Sequence, residues 1–194
     1  MSYPRVTLTL PGWVEELIPD PDREYPTEED RMRLAISLSR SNVERGTGGP
    51  FGACVFDLST NRLVAPGVNL VTSTNLSTAH AEIVALTIAQ QVVGHFDLGG
   101  AGRPAYELVA STEPCIQCFG AVTWSGVRRL ACGARDEDAR EIGFDEGPKM
   151  EDWVSALERR DISVVRDVCR EEAAAVLKEY AEGGGEIYNA RQGD

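Results

Sequence analysis

The chain has 194 residues, 42% of them hydrophobic, and 19 Lys and Arg against 31 Asp and Glu give a formal net charge of -12. That length suits one domain with a continuous buried core, and the apolar fraction excludes a disordered polypeptide. The acidity argues against the usual route to nucleic acid, in which clustered Lys and Arg replace phosphate counterions.

Residues 1–26 carry Pro4, Pro11, Pro19, Pro21 and Pro26 and read as an irregular N-terminal arm. It precedes a domain over 27–182 and a C-terminal segment over 183–194. Residues 1–10 alternate Val, Thr and Leu without an apolar run, so no signal peptide is expected there. No stretch suits a membrane span, since the least charged one, 63–81, is rich in Ser, Thr and Asn. Five cysteines are too few for a disulfide scaffold and odd in number, which points to a reducing compartment and a cytoplasmic protein.

Thr27 followed by Glu28, Glu29 and Asp30 marks a helix start, with Met32, Leu34, Ile36 and Leu38 setting its apolar spacing up to about Val43. Gly48-Gly49-Pro50 is a turn, and 51–58 and 63–71 form two strands of a hairpin around Ser59-Thr60-Asn61. Ser77 and Thr78 are candidate caps for a helix over 79–93. Gly99 to Gly102 is a loop; its Gly-Ala-Gly precedes a strand and so does not read as a dinucleotide turn. A strand over 106–111 leads to Pro114, suited to a first helical position, and a helix to about Ser125. A strand over 128–134, short helices after Asp136 and over 151–159, a last strand over 162–166 and a helix over 171–181 follow. Strands alternating with helices imply an α/β fold with a mixed sheet and helices on both faces.

Two short segments carry chemistry: His80-Ala81-Glu82 and Pro114-Cys115-Ile116-Gln117-Cys118, each at a helix start. Cys115 and Cys118 lie roughly 60° apart around a helix, so both sulfurs emerge on one face, as a shared metal requires. His80 and Glu82 are roughly 200° apart and cannot meet on the side of a helix. They can meet at its end, because first-turn side chains tilt past the N-terminus. If both helix starts face one point, His80, Cys115 and Cys118 would hold a metal, zinc by the chemistry of the donors. Its fourth position would be left for water, the mark of a catalytic site. A neutral imidazole and two thiolates balance the dication, so this metal acidifies its water less than one with three imidazoles. Glu82, near but not a ligand, would take the proton from that water and later donate it to the substrate.

Other readings of the same residues are weaker. A redox Cys-x-x-Cys pair leaves His80 and Glu82 unexplained, and a structural zinc would need Cys54 or Cys132 as a fourth ligand. Cys54, Cys132 and Cys169 read as residues in or near the core.

His-x-Glu followed by Pro-Cys-x-x-Cys is the signature of zinc-dependent nucleobase deaminases. From about Gly49 onward the chain resembles the guanine deaminases of the cytidine deaminase-like superfamily. The matching segments are Gly49-Pro50-Phe51-Gly52-Ala53, Asn69, Thr78-Ala79-His80-Ala81-Glu82, Thr112-Glu113-Pro114-Cys115, Gly120-Ala121-Val122-Thr123-Trp124 and Gly143-Phe144-Asp145-Glu146. The resemblance implies a three-layer α/β/α sandwich with a mixed five-stranded sheet, one Zn2+ per chain, and hydrolysis of guanine to xanthine and ammonia. It implies that Asn69 hydrogen-bonds the purine, that the backbone of Ala81 contacts the reacting centre, and that Trp124 forms part of the pocket wall. Glu146, where many relatives carry Asp, would read the guanine edge and help protonate departing ammonia. Tyr188 resembles an aromatic that reaches a site, in some relatives across a dimer by exchange of the terminal segment, with Gly183-Gly184-Gly185 as the hinge. A homodimer is part of the same expectation.

Rival functions remain in view. Guanosine, cytosine, ammeline or a biosynthetic intermediate could be the substrate, since a few side chains redirect such a pocket. A tRNA adenosine deaminase would need a basic path for an anticodon loop, which the acidic C-terminal half disfavours. A non-catalytic zinc-holding partner would have no chemical need of Glu82.

Overall fold

Two helix faces and one sheet account for the whole fold. In the computed structural model, which describes residues 3–191, the order is α1 (Trp13–Leu17), α2 (Glu28–Glu44), β1 (Gly52–Asp57), β2 (Arg62–Val68), α3 (Val71–Thr74), α4 (Ala81–Val93), β3 (Tyr106–Thr112), α5 (Ile116–Ser125), β4 (Arg129–Ala134), α6 (Asp136–Glu141), α7 (Trp153–Glu158), β5 (Ser163–Val165) and α8 (Arg170–Glu182). The strands align as β2-β1-β3-β4-β5. β1 is antiparallel to β2 and β3, whereas β3, β4 and β5 run parallel, because the β3-α5-β4 connection crosses over through a helix.

The period of two along each strand divides the core. Cys54, Phe56, Val109 and Ala131 face one layer with Met32 and Leu38 of α2 and Val176 and Leu177 of α8. Ala53, Val55, Leu108, Leu130 and Cys132 face the other, with Ala85 and Leu86 of α4, Val122 of α5 and Leu157 of α7. The result is the three-layer α/β/α sandwich with a mixed five-stranded sheet. Pro66 sits in β2, an edge strand, where its missing N–H costs no ladder bond to a neighbour on the outer side. Gly67 lets α4 lie close on that strand, since a Cβ there would stand 2.3 Å from the Ala81 carbonyl oxygen.

The capping box at Thr27 starts α2, with Asp30 N–H donating to the Thr27 hydroxyl and Thr27 N–H to the Asp30 carboxylate. Ahead of it, the segment 3–26 contains α1, whose Trp13 and Val14 join the core; Trp13 Nε1 donates to Thr47 Oγ1 at 3.2 Å. Of the C-terminal segment 183–194, residues 192–194 lie outside the described residues, as do residues 1 and 2 of the arm. No helix among the described residues is long and apolar enough to cross a membrane.

Candidate active site and metal centre

The site lies at the carboxyl end of β3, where the start of α5 meets the start of α4. Neither helix is capped in the way the sequence suggests. Ser77 and Thr78 precede the cap of α4, and His80 itself is the N-cap, extended at φ -69° and ψ 153°. Pro114 likewise stands before the first turn of α5, and Cys115 is the N-cap, at φ -65° and ψ 174°. In both helices the cap side chain makes no capping hydrogen bond; it turns toward the other helix instead. Cys115 and Cys118 are thus related as N-cap and third residue, the pair that a capping box brings together over a helix end. His80 and Glu82 meet by the same end-on geometry.

His80 Nδ1 stands 3.5 Å from Cys115 Sγ and 3.6 Å from Cys118 Sγ, and one donor atom from each residue falls within 4.8 Å of the others. A tetrahedral zinc with ordinary Zn–N and Zn–S lengths separates its nitrogen and sulfur ligands by about 3.6 Å, so the donors already stand at ligand spacing. All five cysteines are free thiols, and Cys54 and Cys132 lie outside this group of donors. Three protein donors, one nitrogen and two sulfurs, fit a zinc ion with one position left for water.

The charges around these donors are shifted by their burial and by one another. Donation from the Cys118 thiol pulls Cys115 down, to about 4, against the opposing effect of burial, with His80 adding to the fall. Burial holds the Cys118 thiol up. Glu82 is buried, and burial first, then the neighbouring Cys115 sulfur, raises its carboxyl above the ordinary range. Such a carboxyl sits nearer the pKa that proton exchange at neutral pH demands.

A cavity of about 220 Å³ opens onto the donors, lined by Phe51, Asn69, His80, Glu82, Glu146 and Tyr188 among others. Asn69 is buried, and its Oδ1 accepts from Val71 N–H at 3.2 Å, which fixes the amide so that Nδ2 is the free donor. Its backbone carbonyl is held by Asn42 Nδ2 at 2.8 Å. Ala81, between His80 and Glu82 in the chain, is the buried first residue of α4. Glu146 reaches the cavity from the loop between α6 and α7, and burial pushes its carboxyl up, to about 8, with the negative Cys115 and Asp136 adding to the rise. The Glu146 carbonyl accepts from Ile116 N–H at 3.0 Å, so this loop caps the metal-binding helix.

Tyr188 enters the same cavity from its own chain's C-terminal segment. Its hydroxyl is buried and has no hydrogen-bond partner among the described residues, and burial raises its pKa well above the phenol range. Gly49 makes room for it, because a Cβ at that position would stand 2.1 Å from the hydroxyl oxygen. Asn189 fastens the segment: its Nδ2 donates to Gly143 O at 2.8 Å and its Oδ1 accepts from Asp145 N–H at 2.9 Å.

Trp124 does not form part of the wall. It lies at the far end of α5, about 13 Å along the axis from Cys115, is 80% exposed, and packs its ring under Arg160. The aromatic wall is instead Phe144, set edge-on to Phe51 and to Tyr188 with ring centroids 5.0 Å apart in both pairs. Phe51 and Phe144 stand inside the matching segments without a signal of their own, and the sequence hid their part in the wall. It gave no role to Glu113 or Asn189, which also line the cavity.

Known proteins resemble this chain in sequence and fold. Residues 26–134 match the model of the cytidine and deoxycytidylate deaminase zinc-binding region. A guanine deaminase from Bacillus subtilis is 36% identical over 118 residues, 61% of this chain and 71% of that protein. Among solved structures, guanine deaminase from Nitrosomonas europaea is 44% identical, with a TM-score of 0.87 over 92% of this chain and 97% of that one. Another solved structure, in complex with 2,6-diaminopurine, is 46% identical, with a TM-score of 0.88 over 95% and 97%. The chain belongs to the cytidine and deoxycytidylate deaminase family and is a zinc-dependent hydrolytic deaminase.

Proposed function

We propose that this chain removes the 2-amino group of guanine by hydrolysis, giving xanthine and ammonia. The observation that carries the reading is the pairing, in one cavity, of the buried Glu146 carboxylate with the free Nδ2 donor of Asn69. Guanine presents two neighbouring donors, the ring N1–H and the 2-amino group, which one carboxylate can accept together, and acceptors elsewhere on its rim. Adenine would set the acceptor N1 beside any carboxylate that met its amino group. The cavity is smaller than the roughly 300–1,000 Å³ of sites for drug-sized ligands, which favours a free base over a nucleoside or a tRNA loop. Glu82, Glu113, Asp145 and Glu146 around it offer no basic path for RNA.

Relatives support the substrate. Two solved structures bound to 8-azaguanine are variants, one with an asparagine changed to glutamine and one with a glutamate changed to aspartate. Those two positions have the same spacing along their chain as Asn69 and Glu146 have here.

Zinc held by His80, Cys115 and Cys118 would lower the pKa of water in its fourth position and make it a nucleophile at neutral pH. With such a nucleophile, Glu82 would accept the water's proton and hand it to a ring nitrogen beside the attacked carbon. Glu146 holds N1–H and the 2-amino group and assists proton delivery to departing ammonia. Asn69 fixes the opposite polarity on the purine rim, the Ala81 N–H faces the reacting centre, and Tyr188 with Phe144 and Phe51 excludes solvent. A homodimer and a cytoplasmic location, consistent with five free thiols, complete the reading.

A panel of guanine, guanosine, adenine, adenosine, cytosine, ammeline and tRNA, assayed for ammonia release, tests it. Guanine is expected to lead kcat/KM by at least about 100-fold, the scale of two charge-assisted hydrogen bonds. Turnover confined to tRNA or to a nucleoside would overturn the assignment.

A further inference from the structure

Next to the cavity, and sharing Glu113 with its lining, lies a cluster of charge that the chemistry above does not use. Its centre is Lys149, whose side chain is only 6% exposed. The ammonium donates to the backbone carbonyl of Pro114 at 3.1 Å, stands 2.8 Å from Asp136 Oδ1 and 3.7 Å from Glu113 Oε2, and lies 4.9 Å from the centroid of the Trp153 ring. One hydrogen bond, to the Pro114 carbonyl, is therefore set among two carboxylates and an aromatic face. Glu113 is in turn held by Arg166 at 2.6 Å and accepts from Asp136 N–H at 3.2 Å.

A buried ammonium is costly even when fully paired, and an apolar side chain would fill the space as well. What the lysine supplies that an apolar residue cannot is a fixed point. Pro114 immediately precedes the ligand Cys115, and Lys149 follows Glu146 by three residues on one short loop. That loop is tied at its other points by Ile116 N–H to Glu146 O at 3.0 Å, Arg140 Nη2 to Gly147 O at 3.0 Å, and Lys149 N–H to Gly147 O at 2.9 Å. The backbone that follows Glu146 is therefore referred to the start of α5 through the Glu146 carbonyl and Lys149, and Lys149 is the side chain of the loop that grips the residue before the metal ligand.

We propose that Lys149 is a positioning residue for the deamination: by holding the Pro114 carbonyl it sets the place of the Glu146 carboxylate relative to the metal-binding end of α5. This rests on the reading of Glu146 as the group that meets the substrate. Misplacement of such a group by about 1 Å costs up to about 100-fold in rate.

The test is a double-mutant cycle on zinc-loaded protein, with Lys149→Met and Glu146→Gln alone and combined, reading kcat and KM for guanine and zinc per chain. Lys149→Met is expected to keep one zinc and to lose about 30-fold or more in kcat/KM in the native background, yet less than about 3-fold when Glu146 is already Gln. Equal losses in both backgrounds would assign Lys149 a role independent of Glu146 and overturn the proposal, and so would loss of zinc. If Glu146→Gln alone has no effect, the reading beneath falls and the proposal with it, a result distinct from equal losses. Asp136→Asn loosens the lysine without removing it and covers the case in which Lys149→Met fails to fold. It is expected to show the same dependence on Glu146 with a loss of about 3- to 10-fold, and a loss that ignores Glu146 overturns the proposal.

Discussion

The metal centre and the substrate wall are built from different materials. His80, Cys115 and Cys118 sit on the first turns of α4 and α5, helices that are packed along their length against the sheet. Glu146 and Tyr188 sit on the 143–149 loop and the C-terminal segment, held by polar contacts through Lys149, Arg140 and Asn189 and by the packing of Tyr188 on Phe144. The metal donors are thus placed by helices packed on the sheet, and Glu146 by hydrogen bonds that can be exchanged one at a time. Chemistry stays constant on the rigid half while the loop half can change what it reads.

The largest effect is expected on the rigid half. Glu82→Gln should retain zinc and lose about 10,000-fold in kcat, the upper scale for a lost proton carrier; single-turnover rates with metal analysis check it, and near-native turnover would remove Glu82 from its role. Next comes Glu146, which accepts from the substrate only as a carboxylate. Because its pKa is raised, the carboxylate accumulates as pH rises. kcat/KM for guanine should therefore climb with pH along a limb whose midpoint lies at or below about 8, since the zinc charge opposes the rise. Glu146→Gln should flatten that limb. A limb unchanged by the substitution would assign it to another group.

Smaller effects are expected where single contacts are cut. Asn189→Ala removes two hydrogen bonds that join the C-terminal segment to the 143–145 backbone. At about 1 kcal/mol each, KM for guanine should rise by about 10- to 30-fold with zinc binding unchanged; a fall in zinc content instead would erase the distinction between the two halves. The smallest change is expected from Trp124→Ala, within about twofold in kcat/KM, because that ring faces solvent.

The same contrast explains what could be read along the chain. The metal ligands were legible because each set is local: Cys115 and Cys118 share one helix turn, and His80 and Glu82 share another. The sheet was legible from strand-length apolar runs, although the last strand is only Ser163–Val165, shorter at both ends than its apolar pattern suggests. Trp124 was placed at the pocket only through resemblance, and the nine residues of helix from Ile116 to Trp124 carry its ring away from the cavity. Lys149 and Asn189 left no mark, since their partners Pro114 and Gly143 lie 35 and 46 residues away and a lone Lys or Asn in a loop is ordinarily solvated. Glu146 became visible only through resemblance.

The central claim is a zinc ion with three protein donors and one exchangeable position beside Glu82. X-ray absorption at the zinc edge of the purified protein measures that shell directly. The expected shell is two sulfurs at about 2.3 Å, one imidazole nitrogen and one oxygen near 2.0 Å, with the oxygen exchanged on binding a guanine analogue. A shell of four protein donors, or one without both sulfurs, would contradict the account.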